Sequence, residues 1–187
     1  MIFFLNLAWF LGQFFYNSPI KIGAVMVREW LASVLKFVKS ALFRAPKPLP
    51  AFNPFDAKDE ADLLQLINQE RYRNGMLPLD DVHELSVIAK ESAKINYQYN
   101  ECNNKPNGLM LEVRLLQKEY ASDLSAEIVN RGAKTVEECF YGWAMKPESM
   151  GVIRNGYFCH IGIGKCGNFW TAVFAKPKLF WLLFANF

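Results

Sequence analysis

The first 44 residues carry two different hydrophobic patterns. Residues 2–16 are apolar at all but two positions, and these 15 residues are fewer than the roughly 20 that an upright membrane-spanning helix needs. Residues 20–43 have helical periodicity, with an apolar side and a basic side. The basic side chains are Lys21, Arg28, Lys36 and Lys39. This pattern favours binding to an anionic membrane surface, although a helix packed on another protein would have the same pattern.

A proline-rich stretch separates the N-terminal segment from the rest of the chain, and an apolar run occupies the C-terminal end. Residues 45–58 begin with Ala45-Pro-Lys-Pro-Leu-Pro50, a composition typical of a stiff, extended linker. Residues 59–176 have the patterns of a globular domain. Residues 177–187 form a C-terminal tail whose final nine positions, LFWLLFANF, include one polar residue, Asn186. We expect the tail to dock on a surface, because an exposed run of this kind would promote aggregation. The segment before the linker, residues 1–44, is interpreted as a membrane anchor or docking arm. The alternative for its apolar run, residues 2–16, is an uncleaved signal peptide.

The domain has helical periodicity first and strand alternation later. Apolar spacing predicts helices over residues 59–73, 82–99, 109–120 and 135–145. Strands are predicted over residues 124–130, 157–164 and 168–174, with the last two joined as a hairpin. Thr135, followed by Glu138 three positions later, is a capping signal for the fourth helix. Helices packed on a small antiparallel sheet make an α+β domain.

Charge is distributed unevenly along the chain. The 187 residues have a formal net charge of +3 and are 52% hydrophobic, which excludes a disordered polar chain. Residues 1–50 hold six basic side chains and one acidic side chain, whereas residues 51–187 hold 15 basic and 17 acidic side chains. The positive charge therefore belongs to the N-terminal segment. It favours a membrane surface or a protein partner over nucleic acid.

Four stretches of the domain resemble one family. They are Leu63-Leu-Gln-Leu-Ile-Asn-Gln-Glu-Arg71 followed by Gly75 and Leu77-Pro-Leu79, then Ala126-Glu-Ile-Val129, Trp143-Ala-Met-Lys-Pro-Glu-Ser-Met150, and Ile161-Gly-Ile-Gly164 with Trp170-Thr-Ala-Val-Phe174. In this order they resemble the CAP superfamily of cysteine-rich secretory, antigen 5 and pathogenesis-related-1 proteins, and more closely its compact bacterial-type branch. The resemblance covers about residues 60–175. It implies an α-β-α sandwich, to which this chain adds an N-terminal hydrophobic and amphipathic helical extension.

The resemblance also implies a cleft in which two histidines and one or two glutamates bind a divalent metal. In this sequence Asn103 occupies the position of the first histidine and Ser149 that of the second. Glu127 remains from the cluster. One carboxylate with an amide and a hydroxyl is a poor site for a transition metal. We therefore expect a degenerate cleft with no metal, no cofactor and no catalytic residue, in which Glu127 hydrogen-bonds its neighbours.

The cysteines and histidines suggest no other site. Cys102, Cys139, Cys159 and Cys166 lack a Cys-x-x-Cys spacing, so a zinc ribbon is not indicated. Relatives in the family often form disulfides, and four cysteines permit three pairings, while Cys139 could equally be a buried free thiol. His83 is interpreted as a surface residue. His160, which lies on a predicted strand, is interpreted as a surface or hydrogen-bonded residue.

Two functions remain open. The first is a non-catalytic, membrane-associated CAP-like interaction protein, an accessory subunit of a larger membrane complex that also contacts lipids, with the mitochondrial inner membrane as the suggested location. The second is a secreted or lumenal CAP-domain protein that binds lipid or sterol. For the first function, the predicted membrane or partner contacts are Trp9, Phe14, Lys21, Arg28, Trp30, Lys36, Lys39 and Trp181.

Overall fold

A computed structural model describes residues 47–51, 53 and 56–178, together with Ser33. The chain divides into two compact units, Met1–Ala45 and Pro46–Phe187, and the fold of the second unit is described below. The predicted membrane or partner contacts from Trp9 to Lys39, and Trp181, lie outside the described residues. Within the described residues, no helix has the length and hydropathy of a membrane span.

Five helices and four strands make up the described domain. The helices are α1 (Asp56–Arg73), α2 (His83–Tyr99), α3 (Leu111–Gln117), α4 (Val136–Ala144) and α5 (Pro147–Ile153). The strands are β1 (Asp80–Asp81), β2 (Ser122–Arg131), β3 (His160–Cys166) and β4 (Phe169–Pro177), and a 3-10 turn spans Pro106–Gly108. The sheet order is β1-β3-β4-β2. β1 pairs with β3 in parallel, and the other two pairings are antiparallel, so the sheet is mixed where the sequence predicted an antiparallel one.

Helices cover both faces of the sheet, which gives the expected α-β-α sandwich. Alternation along β4 sends Ala172 and Phe174 to one face, called face A, where they pack with α1, α4 and α5. Val173 and Ala175 point to the other face, called face B, where they pack with α2 and α3. Because side chains alternate along a strand, the partner of each β4 residue on β2 or β3 shares its face.

Two glycines of β3 allow α2 to lie directly on the sheet. A Cβ atom at Gly162 would be 2.1 Å from the carbonyl carbon of Leu85, and one at Gly164 would be 2.3 Å from that of Ala89. Both distances are far below a van der Waals contact, so no side chain fits at either position. Gly162 and Gly164 are therefore packing residues, which let α2 approach the sheet closely.

A buried arginine joins the end of α1 to the segment before β3. Arg71 is fully buried, and its guanidinium donates hydrogen bonds to the carbonyls of Leu77 (2.9 Å), Ile153 (2.9 Å), Asn155 (2.8 Å) and Phe158 (3.0 Å). Burial lowers the pKa of Arg71, which nonetheless stays charged at neutral pH. Arg71 thus supplies the hydrogen-bond donors for four carbonyl groups that lie outside the sheet.

The sequence prediction missed two elements and made a third too long, whereas one of its capping signals is confirmed. Thr135 accepts a hydrogen bond from the backbone N–H of Glu138 (3.2 Å), which confirms the predicted cap of α4. The sequence did not predict α5, which begins at Pro147, nor β1. The predicted helix 109–120 is shorter, because Glu119 has a φ of 57° and ends the helical conformation.

Candidate functional site

Glu127 lies on β2 and faces the helices of face B. It pairs with Val173 of β4, a residue that packs against α2 and α3. Its side chain is 2% exposed, and it meets the side chain of Arg114 from α3, which is 7% exposed. The contact is bidentate, because Nη1 lies 3.1 Å from Oε1 and Nη2 lies 2.5 Å from Oε2. The site is therefore a buried guanidinium–carboxylate pair.

Arg114 extends this pair to two more segments. Its Nη1 also donates to the hydroxyl of Ser92 on α2 at 2.5 Å, and its Nη2 donates to the carbonyl of Asn104 at 3.1 Å. Its Nε is buried and has no hydrogen-bond partner within the described part of the chain. One side chain thus holds α2, α3, β2 and the loop before α3 together.

The pairing decides what the Glu127 carboxylate can do. Both of its oxygens are occupied by a cation that is itself buried, so a metal ion would have to displace a charge-assisted, bidentate contact. Breaking such a pair leaves an uncompensated buried charge, which is costly. As expected from the sequence, Glu127 hydrogen-bonds a neighbouring side chain. Its role in this geometry is to connect elements of the fold.

Asn103 organises its own loop. Its Oδ1 accepts a hydrogen bond from the N–H of Lys105 (2.7 Å), and its Nδ2 donates to Oε2 of Glu101 (3.0 Å). Its backbone is bound by the side chain of Asn96 on α2, whose Nδ2 donates to the Asn103 carbonyl at 2.9 Å. The next residue, Asn104, supplies the carbonyl that Arg114 binds. Asn103 and Glu127 are thus connected indirectly, through Arg114.

Ser149 lies on the other side of the sheet. It is buried in α5, the helix whose Met150 and Ile153 pack into the core of face A. Within the described residues, no hydrogen bond joins it to Asn103 or to Glu127. Of the three residues that were predicted to form a degenerate cleft, Asn103 and Glu127 are therefore linked indirectly, through Arg114 and Asn104, and Ser149 lies in a helix on the other face of the sheet.

His160 is paired with a tyrosine. Its Nδ1 lies 2.8 Å from the hydroxyl of Tyr120, and it shares face B with its β4 partner Ala175. Burial raises the pKa of Tyr120, and the nearby Cys159 and Glu84 raise it further, so the phenol keeps its proton. His160 is therefore a hydrogen-bonded strand residue, one of the two roles expected from the sequence. His83 begins α2 and is exposed, as expected.

The arrangement of helices and strands is similar to that of several solved structures. An extracellular protein with an SCP domain from Bacillus anthracis matches with a TM-score of 0.64 and 17% identity, over 68% of this chain and 45% of that chain. A cysteine-rich secretory protein from Staphylococcus aureus matches with a TM-score of 0.57 and 15% identity, over 70% and 42%. An outer surface protein from Borrelia burgdorferi matches with a TM-score of 0.60 and 19% identity, over 65% and 94%.

The domain has the CAP fold. No protein-family model matches the sequence, and no curated protein matches it. The chain spans less than half of the length of the Bacillus and Staphylococcus proteins. Identities below one fifth support a likeness of fold and not of activity. The resemblance read from the four motifs is confirmed at the level of the fold.

The four cysteines all lie in the described domain and are free thiols in the structure. Cys102 is exposed, Cys159 is half-buried, and Cys139 and Cys166 are buried. Burial raises the pKa of Cys139, and burial together with Asp56 raises that of Cys166 to about 11 despite the opposing effect of Lys94. The buried thiols are therefore uncharged at neutral pH. Cys139 is a buried free thiol, which was one of the two roles expected for it from the sequence. Within the described ranges, no group of three or more His, Cys, Asp or Glu side chains is placed to hold a metal ion.

Arg114 is the site residue that the sequence reasoning missed. The sequence contained one signal for it. Arg114 is three residues after Leu111 and next to Leu115, both of which are buried, so helical spacing places a cation on the apolar side of α3. A charged residue on that side requires a buried partner. The identity of the partner, Glu127, depends on how β2 packs on α3.

Proposed function

We propose that this chain is a non-catalytic CAP-domain binding protein. The observation that carries the proposal is the buried pair of Arg114 and Glu127. Within the resemblance to the CAP family, Glu127 is the one residue of the metal cluster that this sequence keeps, and its carboxylate is bound to a guanidinium. The domain therefore uses this carboxylate to connect elements of its fold. It has no free carboxylate at this position for general acid–base or metal chemistry.

We further propose that the N-terminal segment attaches the domain to a membrane. Its basic side chains Lys21, Arg28, Lys36 and Lys39 fall on one side of a predicted helix whose other side is apolar. Each basic residue near an anionic surface contributes about 1 kcal/mol, so four contribute about 4 kcal/mol. The structural neighbours are named as extracellular, secretory or outer surface proteins. These names favour the exported side of a membrane over the mitochondrial inner membrane.

The attachment is tested by flotation of the full chain with anionic vesicles. We expect the chain with Lys21, Arg28, Lys36 and Lys39 all changed to Gln to lose most of its vesicle binding. The matched control changes four exposed lysines of the domain to Gln, and it should bind like the wild type. These control residues are Lys58, Lys105, Lys134 and Lys146. Equal losses in both variants would contradict attachment through the N-terminal segment.

The binding role itself is tested by affinity purification from gently solubilised membranes, followed by identification of what co-migrates. An accessory subunit should co-migrate with other proteins in a constant ratio. A chain that migrates alone and without lipid would contradict the proposal.

The second candidate function is lipid or sterol binding in the secretory pathway. The observation that favours it is the exported character of the neighbours, as their names give it. If the protein has this function, the same purification should yield a monomer with bound lipid, and native mass spectrometry would detect the lipid. A lipid-free monomer would argue against this function as well.

A further inference from the structure

One side of α3 and of the turn before it exposes large apolar side chains. We call these four residues the α3 stripe: Leu109 (38% exposed), Met110 (55%), Val113 (41%) and Leu116 (71%). Met110, Val113 and Leu116 are three residues apart, so they follow one side of the helix. The other side of α3 is also apolar and packs into the core through Leu111 and Leu115. A short helix that is apolar on two sides has a second surface to cover.

The described chain ends beside this helix. After β4, the N–H of Lys178 donates a hydrogen bond to the carbonyl of Ala121 at 3.0 Å. Tyr120, the residue before Ala121, donates its N–H to the carbonyl of Leu115 in α3 at 3.0 Å. The C-terminal tail therefore leaves the domain next to the last turn of α3. Its final nine residues, 179–187, contain one polar residue, Asn186, and lie outside the described part of the chain.

Length and position both fit the tail to the α3 stripe. Nine residues can reach up to about 30 Å when extended, whereas the seven residues of α3 span about 10 Å. The N-terminal linker meets the domain elsewhere, because the N–H of Lys47 donates to the carbonyl of Gln98 at the end of α2 (2.8 Å). A second exposed apolar pair is formed by Tyr141 of α4 and Met145 directly after it. This helix packs on face A, the opposite side of the sheet.

We propose that residues 179–187 fold back on the α3 stripe of the same chain and cover it. Two apolar surfaces tethered a few residues apart meet at a high effective concentration, so the intramolecular contact is favoured over a contact with another molecule. The stripe is then an internal interface, and the tail belongs to the CAP domain. This inference does not depend on the proposed function.

Photo-crosslinking of the full chain in mild detergent tests the contact. The variant Val113→p-benzoylphenylalanine places a photoreactive group in the stripe, and Tyr141→p-benzoylphenylalanine, on α4, is the matched control. Mass spectrometry then identifies the crosslinked peptides. We expect tail crosslinks from position 113 to exceed those from position 141 by about tenfold, since burial of one large apolar side chain shifts an equilibrium by at least this factor. Mixing of ¹⁵N-labelled and unlabelled chains distinguishes contacts within a chain from contacts between chains.

Further variants keep the test decisive. Leu116→p-benzoylphenylalanine serves if the change at Val113 prevents folding, because Leu116 is the most exposed residue of the stripe. The double change Trp181→Glu and Phe184→Glu should remove the tail crosslinks. Crosslinks from the stripe to residues 1–43, to detergent or lipid, or to the tail of another copy, without intrachain tail crosslinks, would overturn the proposal. The absence of any crosslink from both stripe positions would overturn it as well.

Discussion

The substitution Arg114→Met removes the cation that neutralises Glu127 and keeps a side chain of similar length. It leaves a carboxylate that is 2% exposed without its partner, and removal of one member of a buried ion pair typically costs about 3–5 kcal/mol. It also removes the hydrogen bonds from Arg114 to Ser92 and Asn104. The buried Nε of Arg114, which has no partner among the described residues, offsets a small part of this loss. We therefore expect a loss of about 3–4 kcal/mol in the free energy of unfolding.

Urea unfolding, followed by circular dichroism, measures this loss. With a slope of about 2 kcal/mol per molar urea, the midpoint should fall by about 2 M. The matched control is Lys118→Met, which breaks an ion pair with Glu91 in which the two side chains are 32% and 50% exposed. An exposed pair contributes about 0–1 kcal/mol, so the control should unfold almost like the wild type.

A double variant separates the pair from the general effect of the substitution. Arg114→Met combined with Glu127→Gln removes the uncompensated charge, so it should be more stable than Arg114→Met alone. The reasoning would be refuted if Arg114→Met cost no more than Lys118→Met. It would also be refuted if removal of the Glu127 charge failed to recover any stability.

Three further predictions concern packing and burial. Gly162→Ala should lower the free energy of unfolding by about 1–3 kcal/mol, measured with urea, because its Cβ would meet the backbone of α2. The control Gly151→Ala, in open space on α5, should raise the free energy of unfolding by about 0.5–1 kcal/mol. Arg71→Lys should cost about 2–4 kcal/mol by the same assay, since an ammonium cannot reach all four carbonyls. Iodoacetamide at pH 8 should alkylate the exposed Cys102 about a hundred times faster than the buried Cys166, because the raised pKa of Cys166, about 11, leaves little reactive thiolate. Equal alkylation rates, measured by mass spectrometry, would contradict the burial of Cys166.

Local signals predicted much of the fold. Apolar spacing located four helices and three strands, and the side chain of Thr135 caps α4 as its position relative to Glu138 indicated. The sequence reasoning missed α5, although Pro147 at a first helical position, followed by Glu148, is a helix-start signal. It also missed β1, because two consecutive aspartates have a low strand propensity and their parallel pairing with β3 is set by the tertiary fold.

The site depended more on contacts between distant residues. The substitutions at the family's two histidine positions could be read from Asn103 and Ser149, and the retained glutamate from Glu127. The sequence could not show that Asn103 and Glu127 are linked through Arg114. That link requires α3 to pack over β2. Nor could it show that Ser149 lies in a helix on face A, because this follows from the placement of α5 against the sheet. The predicted contacts in residues 1–44 remain predictions.

The most direct test of the central claim is the zinc content of the full chain. The chain would be equilibrated with a small excess of ZnCl₂, passed through a desalting column, and measured by inductively coupled plasma mass spectrometry beside the Glu127→Gln variant. Because the Glu127 carboxylate is bound to Arg114, we predict far less than one zinc per chain and the same value for both proteins. One tightly bound zinc per chain that is lost in Glu127→Gln would contradict the proposal that this domain has no metal chemistry at Glu127.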